Sequence, residues 1–295
     1  MAAAVKTAGA EERMIKPNKK KVKVSDVLIT LLIAVIVIIE IYPIFWMLTA
    51  SLKQQYEWAK YPAYMLNRGF YWQNYIDAWN RGHMSIYFRN SLIYTLISLV
   101  FIVYFSATVG FCVTKMQWKW RERVKQYFEL GIMVPVATAL IPLFQIFQKT
   151  KLYNTPYCLI ITYTAFGLSL SIYLITGYLR SFPDEIMEAA VIDGCDIYRM
   201  LQYVVLPLMK NAIVTVLVLQ FFFKWNDLLF SMTFISDTKL KTVQTGLLYF
   251  SDEFGSKNWG AIFASVSMSI LPMLVLYTIL NKTIIEGMTA GAVKG

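Results

Sequence analysis

Six apolar stretches constrain this chain more than any other feature. They lie at about residues 27–48, 88–114, 126–148, 157–179, 208–235 and 259–281. Each is long enough to cross a bilayer, which takes about 20 helical residues. The runs are continuous, whereas a membrane barrel alternates apolar and polar residues in segments of about ten. The sequence therefore predicts an all-α membrane protein with six transmembrane helices. Composition agrees: hydrophobic residues make up 57% of the 295 and charged residues only 16%, against roughly 25% charged in a soluble domain. Too few charges remain to cover a water-facing surface. Disorder, a fibrous protein and a secreted disulfide scaffold are excluded. The first run, at 22 residues, exceeds the roughly 7–15 apolar residues of a signal peptide and is expected to stay as an anchor.

The net charge is +10, and its placement tells what it is for. Seven of the 28 Lys and Arg fall in the first 26 residues and five more in residues 115–125. Both clusters abut apolar runs, the mark of cytoplasmic loops rather than of nucleic-acid binding. With the N-terminus inside, the inner segments hold 17 of these residues and the outer segments 10, with Lys224 inside a span. Both termini are then cytoplasmic and the chain is a multi-pass membrane protein. It divides into a basic N-terminal tail (1–26), a transmembrane domain (27–283) and a C-terminal tail (284–295). The basic stretch Lys16 to Lys23 fits an anchor on anionic inner lipid.

No chemistry of catalysis is visible. Cys112 and Cys158 sit in apolar runs, Cys195 lies in a polar loop, and there is no CxxC pair or zinc spacing. The lone His83 leaves no His-rich metal site. There is no GxxxxGK[ST] phosphate loop. The expectation is a non-enzymatic chain with no cofactor or metal of its own.

The patterned segment is the inner loop 180–207, between the fourth and fifth runs. Its spacing predicts two short helices. Pro183 fits a first helical turn, with Asp184 and Glu185 near the positive end of the helix dipole. Ile186, Ala189 and Ala190 then fall at helical spacing. Asp193-Gly194 gives a turn. A second amphipathic piece places Ile197, Met200, Leu201 and Val204 on one side, and Pro207 stops it. The Ala189-Ala190 pair offers a low-relief face for a partner. An amphipathic helix lying on the membrane is the bland alternative, but Asp184, Glu185, Glu188 and Asp193 would be repelled by anionic inner lipid.

Here a resemblance enters. Glu188-Ala189-Ala190 followed by Gly194, with Leu206-Pro207 downstream, resembles the EAA loop of binding-protein-dependent ABC importer permeases. The extended form, PDEIMEAAVIDG, is similar to the sugar-importing, MalG-type branch. Tyr42 to Met47 followed by Ser51-Leu52-Lys53, the Asn90-Ser91-Leu92 triplet, and the ending Glu286 to Gly295 resemble the same branch. The resemblance covers nearly the whole chain after residue 25, with Cys195 standing where relatives commonly carry Ala.

The resemblance implies a permease subunit of an ATP-driven sugar or oligosaccharide importer. Its partners would be a second permease subunit, an ABC ATPase dimer that holds the ATP and magnesium, an extracellular or periplasmic solute-binding protein, and membrane lipid, with no nucleic acid. It implies that the loop seats in the ATPase. Glu188 would face a basic group, Ala189 and Ala190 would allow close approach, and Asp193, Gly194 and Pro207 would shape the turn. Gly291 and Lys294 in the tail are further interface candidates.

Other residues remain open between two readings. Glu40, inside the first run, is a functional candidate by default or a structural group reaching water. Lys224 and Asp227, at i and i+3 around Trp225-Asn226, either pair on one helix face or line an outer gate. Gln220 and Phe221 to Phe223 suit a sugar contact or a lipid-facing surface. The aromatics of the 49–87 loop, Trp58 to Trp79, suit an interfacial belt, a docking surface or a sugar contact. Two other classes compete with the permease: an autonomous secondary transporter, which would show inverted repeats, and a membrane-embedded enzyme, which would need polar groups clustered at one depth.

Overall fold

The computed structural model describes residues 24–253 and 258–292. Among these every regular element is helical. Helix α1 (Val24–Ala50) is the first apolar run. Up to Trp46 it forms a unit by itself, and from Met47 onward the chain belongs to a second unit. Glu40 is exposed on the first of these units.

In the second unit the 51–83 segment is folded. It carries α2 (Gln55–Lys60) and α3 (Gln73–Asn80). The side-chain amide of Asn74 donates to the carbonyls of Ser51 and Lys53, both at 2.8 Å. Lys53 is buried. Its Nζ donates to the Ala63 carbonyl at 2.9 Å and lies over the Trp58 ring. Burial lowers the pKa of Lys53, opposed by the nearby Glu57. The buried Glu57 carboxylate accepts from the backbone N–H groups of Gln54 and Arg68. Trp58 stacks on Phe263, and Arg68 covers the Tyr61 ring. Three of the loop's aromatics, Trp58, Tyr61 and Tyr75, are thus packed into the fold. Tyr64, Phe70, Tyr71, Trp72 and Trp79 stay exposed.

The body is built on α4 (Met84–Thr114) and α7 (Pro156–Leu179), which pack along one another. Lipid supplies no hydrophobic drive between helices, so close approach of small and weakly polar residues holds them. Ser98, Ser106, Ala107, Gly110, Thr162 and Ser171 are all buried. Ser98, Thr162 and Ser171 satisfy their hydroxyls on carbonyls four residues back in their own helices. A Cβ on Gly110 would come within 2.5 Å of Ile175 Cγ2, so only glycine permits this spacing.

Between them, the run expected as one span at 126–148 is two helices, α5 (Arg121–Ile132) and α6 (Val136–Lys149), bent by 101°. Pro135 has no N–H to donate and disfavours helical geometry at Val134, so the helix cannot run through. A second correction falls at Pro207. The elbow's α8 (Glu185–Ile192) and α9 (Ile197–Arg199) lead into a π-helical turn (Met200–Val205) and α10 (Leu206–Leu208). Pro207 lies inside this helical stretch and does not stop it. The widened turn immediately before it accommodates the missing N–H. The chain then bends by 75° into α11 (Lys210–Trp225). The expected span 208–235 is likewise broken: α11 ends at Trp225 and α12 (Leu229–Phe234) follows.

After a 3-10 turn (Thr238–Leu240), α13 (Val243–Glu253) and α14 (Trp259–Ala292) complete the described chain. The Asn90 amide donates to the carbonyls of Lys239 and Lys241, and Ser91 Oγ accepts from the Val243 N–H. This pair staples the return segment to the start of α4. Four helices, within α1, α4, α7 and α14, are individually long and apolar enough to cross a membrane, and the two bent pairs raise the number to six if each is one span. Gly291 lies in the last turns of α14. Lys294 and the basic stretch Lys16 to Lys23 lie outside the described residues.

Candidate functional site

Two places in the fold gather the residues singled out in the sequence. One is the elbow, 180–207. It packs on the C-terminal ends of α4 and α7 and the start of α11. Met187, Ala190, Met200 and Val205 join Phe111, Leu179, Met209 and Ala212 in one buried cluster. Helical periodicity splits the Ala-Ala pair. Ala190, like Met187 three residues earlier, turns inward and is 7% exposed, whereas Ala189 faces out. The pair is therefore not a single face for a partner: half of it holds the elbow to its own bundle.

The turn after α8 has a Schellman geometry. Gly194 adopts φ +80°, its N–H donates to the Val191 carbonyl at 3.0 Å, and the Cys195 N–H donates to the Ala190 carbonyl at 2.9 Å. The motif places an apolar contact between its first and last residues, and that residue is Cys195, which packs against the buried cluster. Cys195 is therefore half-buried apolar packing rather than part of a polar loop. A small apolar side chain is what the geometry requires there. Asp184 caps α8 through its carbonyl, which accepts from the N–H groups of Met187 and Glu188. Pro183 thus sits before the helix, not in its first turn.

An anchor the sequence did not reveal is Lys115. Its buried Nζ donates to the Asp184 carboxylate at 2.6 Å and to the Phe182 carbonyl at 2.7 Å. This ties the end of α4 to the entry of the elbow. The outward face is a mixture of acid and bare hydrocarbon. Glu185, Glu188, Ala189 and Asp193 are exposed, and so are Val191, Ile192 at 85% and Tyr198 at 79%. Among the described residues Glu188 has no ion-pair or hydrogen-bond partner for its carboxylate. A groove of about 430 Å³ runs beside it, lined by Lys115, Met187, Glu188, Ile192 and Ile197 among others. The outward side thus carries an apolar patch rimmed by charge.

The second place is a crevice of about 360 Å³ between α5, α6, α7 and α11. It brings Gln220, Lys224 and Asp227 together with Tyr163, Phe166, Phe223 and Phe230. Lys224 and Asp227 do not pair as expected on one helix face, because α11 ends between them. Asp227 accepts from the Tyr163 hydroxyl at 2.8 Å and from the backbone N–H groups of Phe230 and Ser231. Lys224 is 9% exposed and lies 5.8 Å from the Tyr163 ring centre, with no carboxylate within 4.0 Å among the described residues. Lys224 stands in the last turn of α11, one residue before the helix ends. Asn226 is exposed and bonds to the Phe222 carbonyl and to Gln244. Tyr163 gave no sequence signal, being one tyrosine among several in an apolar run.

Comparison with known proteins bears on both places. Residues 102–288 match the family model described as the binding-protein-dependent transport system inner membrane component. The chain is 31% identical over 254 residues to the probable ABC transporter permease protein YurM of Bacillus subtilis (strain 168), covering 86% of this chain and 84% of that one. It is 29% identical over 269 residues to the melibiose/raffinose/stachyose import permease protein MelC of the same organism, covering 91% and 96%. A solved bacterial ABC transporter involved in the import of the acidic polysaccharide alginate superposes with a TM-score of 0.78 at 18% identity, over 89% of this chain and 98% of that one. At that identity the likeness speaks for the fold. The matched stretch contains the elbow, the crevice and every helix from the middle of α4 onward. The chain belongs to the binding-protein-dependent transport system inner membrane components, the membrane-spanning permease subunits of ABC importers.

Proposed function

We propose that this chain is one half of a permease pair in an importer for a sugar or oligosaccharide, and that its elbow takes up the motion of a separate ATPase dimer. The observation that carries the coupling role is the two-sided elbow. Its inner side is fixed to three helices by the Met187–Ala190–Met200–Val205 cluster and the Lys115–Asp184 pair, while its outer side offers Glu188, Val191, Ile192 and Tyr198. A surface that is rigid inward and sticky outward transmits displacement instead of absorbing it. ATP and magnesium are held on the ATPase, and this chain hydrolyses nothing. A solute-binding protein delivers the substrate on the opposite side. The Lys/Arg bias supports a cytoplasmic elbow and cytoplasmic termini. Saccharide cargo is supported by the named cargo of the relative from Bacillus subtilis.

The test is uptake of labelled saccharide into lipid vesicles. The complete complex, with binding protein and ATP, is expected to accumulate sugar, and this chain alone to accumulate none. Uptake by the chain alone would make it an autonomous transporter.

A further inference from the structure

We infer that the crevice between α5–α6, α7 and α11 is a sugar-contacting subsite contributed by this subunit, with Lys224 and Gln220 as its polar contacts. The inference rests on the sugar-importer reading and adds the residues that would meet the cargo.

Three independent observations converge on this crevice. The first is polar groups left without partners. Gln220 is 2% exposed; its amide N–H groups donate to the Gly167 carbonyl at 3.2 Å and to Ser171 Oγ at 3.1 Å, and its Oε1 has no hydrogen-bond partner among the described residues. One turn further along α11, Lys224 is also buried, at 9% exposed, and its ammonium has no hydrogen bond among the described residues. Buried polar groups are ordinarily satisfied, so an acceptor and a donor left open on one wall call for a visitor that supplies both.

The second is the backbone. Two of the interrupted helices break beside the crevice: α5–α6 at Val134, and α11–α12 at Asp227, whereas the bend before α11 lies away from it. Non-helical backbone inside an apolar run is tolerated where it is buried in protein or lines a wet cavity. Two breaks on one cavity mark a path for polar cargo rather than a lipid-filled gap.

The third is the balance of the lining. The positive Lys224 and the negative Asp227 offset one another, so the crevice does not select an anion. Tyr163, Phe166, Phe223 and Phe230 supply apolar faces. A neutral ring with hydroxyls on its rim and C–H groups on its flat sides satisfies such a lining. The volume of about 360 Å³ is at the lower end of the roughly 300–1,000 Å³ of small-molecule sites, a size for a single sugar unit rather than a long chain.

The experiment uses the whole complex, with its partner permease, ATPase and binding protein, in vesicles. Melibiose, raffinose, maltose and trehalose are the labelled probes, and the one that wild type carries is followed. Sugar uptake and ATP hydrolysis stimulated by the binding protein are measured together. Lys224→Met and Gln220→Leu should each cut uptake at least tenfold while ATP hydrolysis stays within twofold of wild type. Assembly is the control: Asp227 keeps its bonds from the Tyr163 hydroxyl and the N–H groups of Phe230 and Ser231 without Lys224, so the Lys224→Met complex should purify at wild-type yield. Uptake at the wild-type rate and KM in both variants would overturn the subsite and leave the importer intact. Parallel loss of uptake and hydrolysis, or failed assembly of both variants, would assign these residues to structure and also overturn it. A wild-type complex that hydrolyses ATP but carries none of the four sugars would overturn the sugar reading, and the subsite with it.

Discussion

Gly194 shows what a single position contributes. At φ +80° an L side chain is strained, and a Cβ there would touch nothing within 4 Å. The cost of Gly194→Ala is therefore backbone alone, about 1–2 kcal/mol. Asparagine tolerates this region better and a β-branched residue worse. Unfolding midpoints of the solubilised protein should rank Gly, Asn, Ala, Val from highest to lowest; equal midpoints would mean the turn is not held in this geometry. Glu188 is the opposite case, exposed and without an internal partner. Glu188→Ala should leave the midpoint unchanged and weaken ATPase association by about 2–5 kcal/mol, the cost typical of truncating one partner of a buried interfacial charge pair. A titration of the ATPase onto wild-type and variant permease measures it. Gly194 and Glu188 were legible because an Asp-Gly turn and an acid on a short helix are local patterns. Lys115 was not. It is one of five basic residues between 115 and 125, and only the meeting of α4 with the elbow distinguishes it from the others.

Elements were legible where the length of an apolar run alone decides them, as in α1, α4, α7 and α14. They were misread where a helix breaks inside an apolar run, because apolar residues continue through the break. The α5–α6 bend at Pro135 and the end of α11 at Trp225 are of this kind. So is Asp227, whose partners Tyr163, Phe230 and Ser231 become visible only once the helix is known to stop. Pro207 was read as a terminator, yet a π-helical turn absorbs it and the bend falls after it. The elbow's own stability rests on two fastenings that can be tested separately. Lys115→Met removes a hydrogen bond of a charged group, ordinarily about 1.5–3 kcal/mol. Because Asp184 is largely exposed, solvent screening reduces this to about 1–2 kcal/mol. Amide exchange across 185–199 should quicken about tenfold, as 1.4 kcal/mol implies. Cys195→Ala should be nearly neutral, whereas Cys195→Ser should quicken the same amides by placing a hydroxyl against the buried cluster. Unchanged exchange in both Lys115→Met and Cys195→Ser would show that neither fastening holds the elbow.

From Met47 onward the molecule is a body of small-residue helix contacts with the elbow at one end and the Asn90-Ser91 staple toward the other. That body transmits motion only if α4 and α7 stay in register. Gly110→Leu would force Ile175 away and overpack the contact, at about 1–3 kcal/mol. It should lower both the unfolding midpoint and transport, unlike any elbow-surface change. We propose the exposed side of the elbow as the surface on which the ATPase docks. The most direct test is co-purification of the ATPase and the second permease subunit with this chain, wild type against a Glu188→Arg, Ile192→Asp double variant. The variant should keep the second permease subunit and lose the ATPase. ATPase retained at the wild-type ratio by the double variant would contradict it.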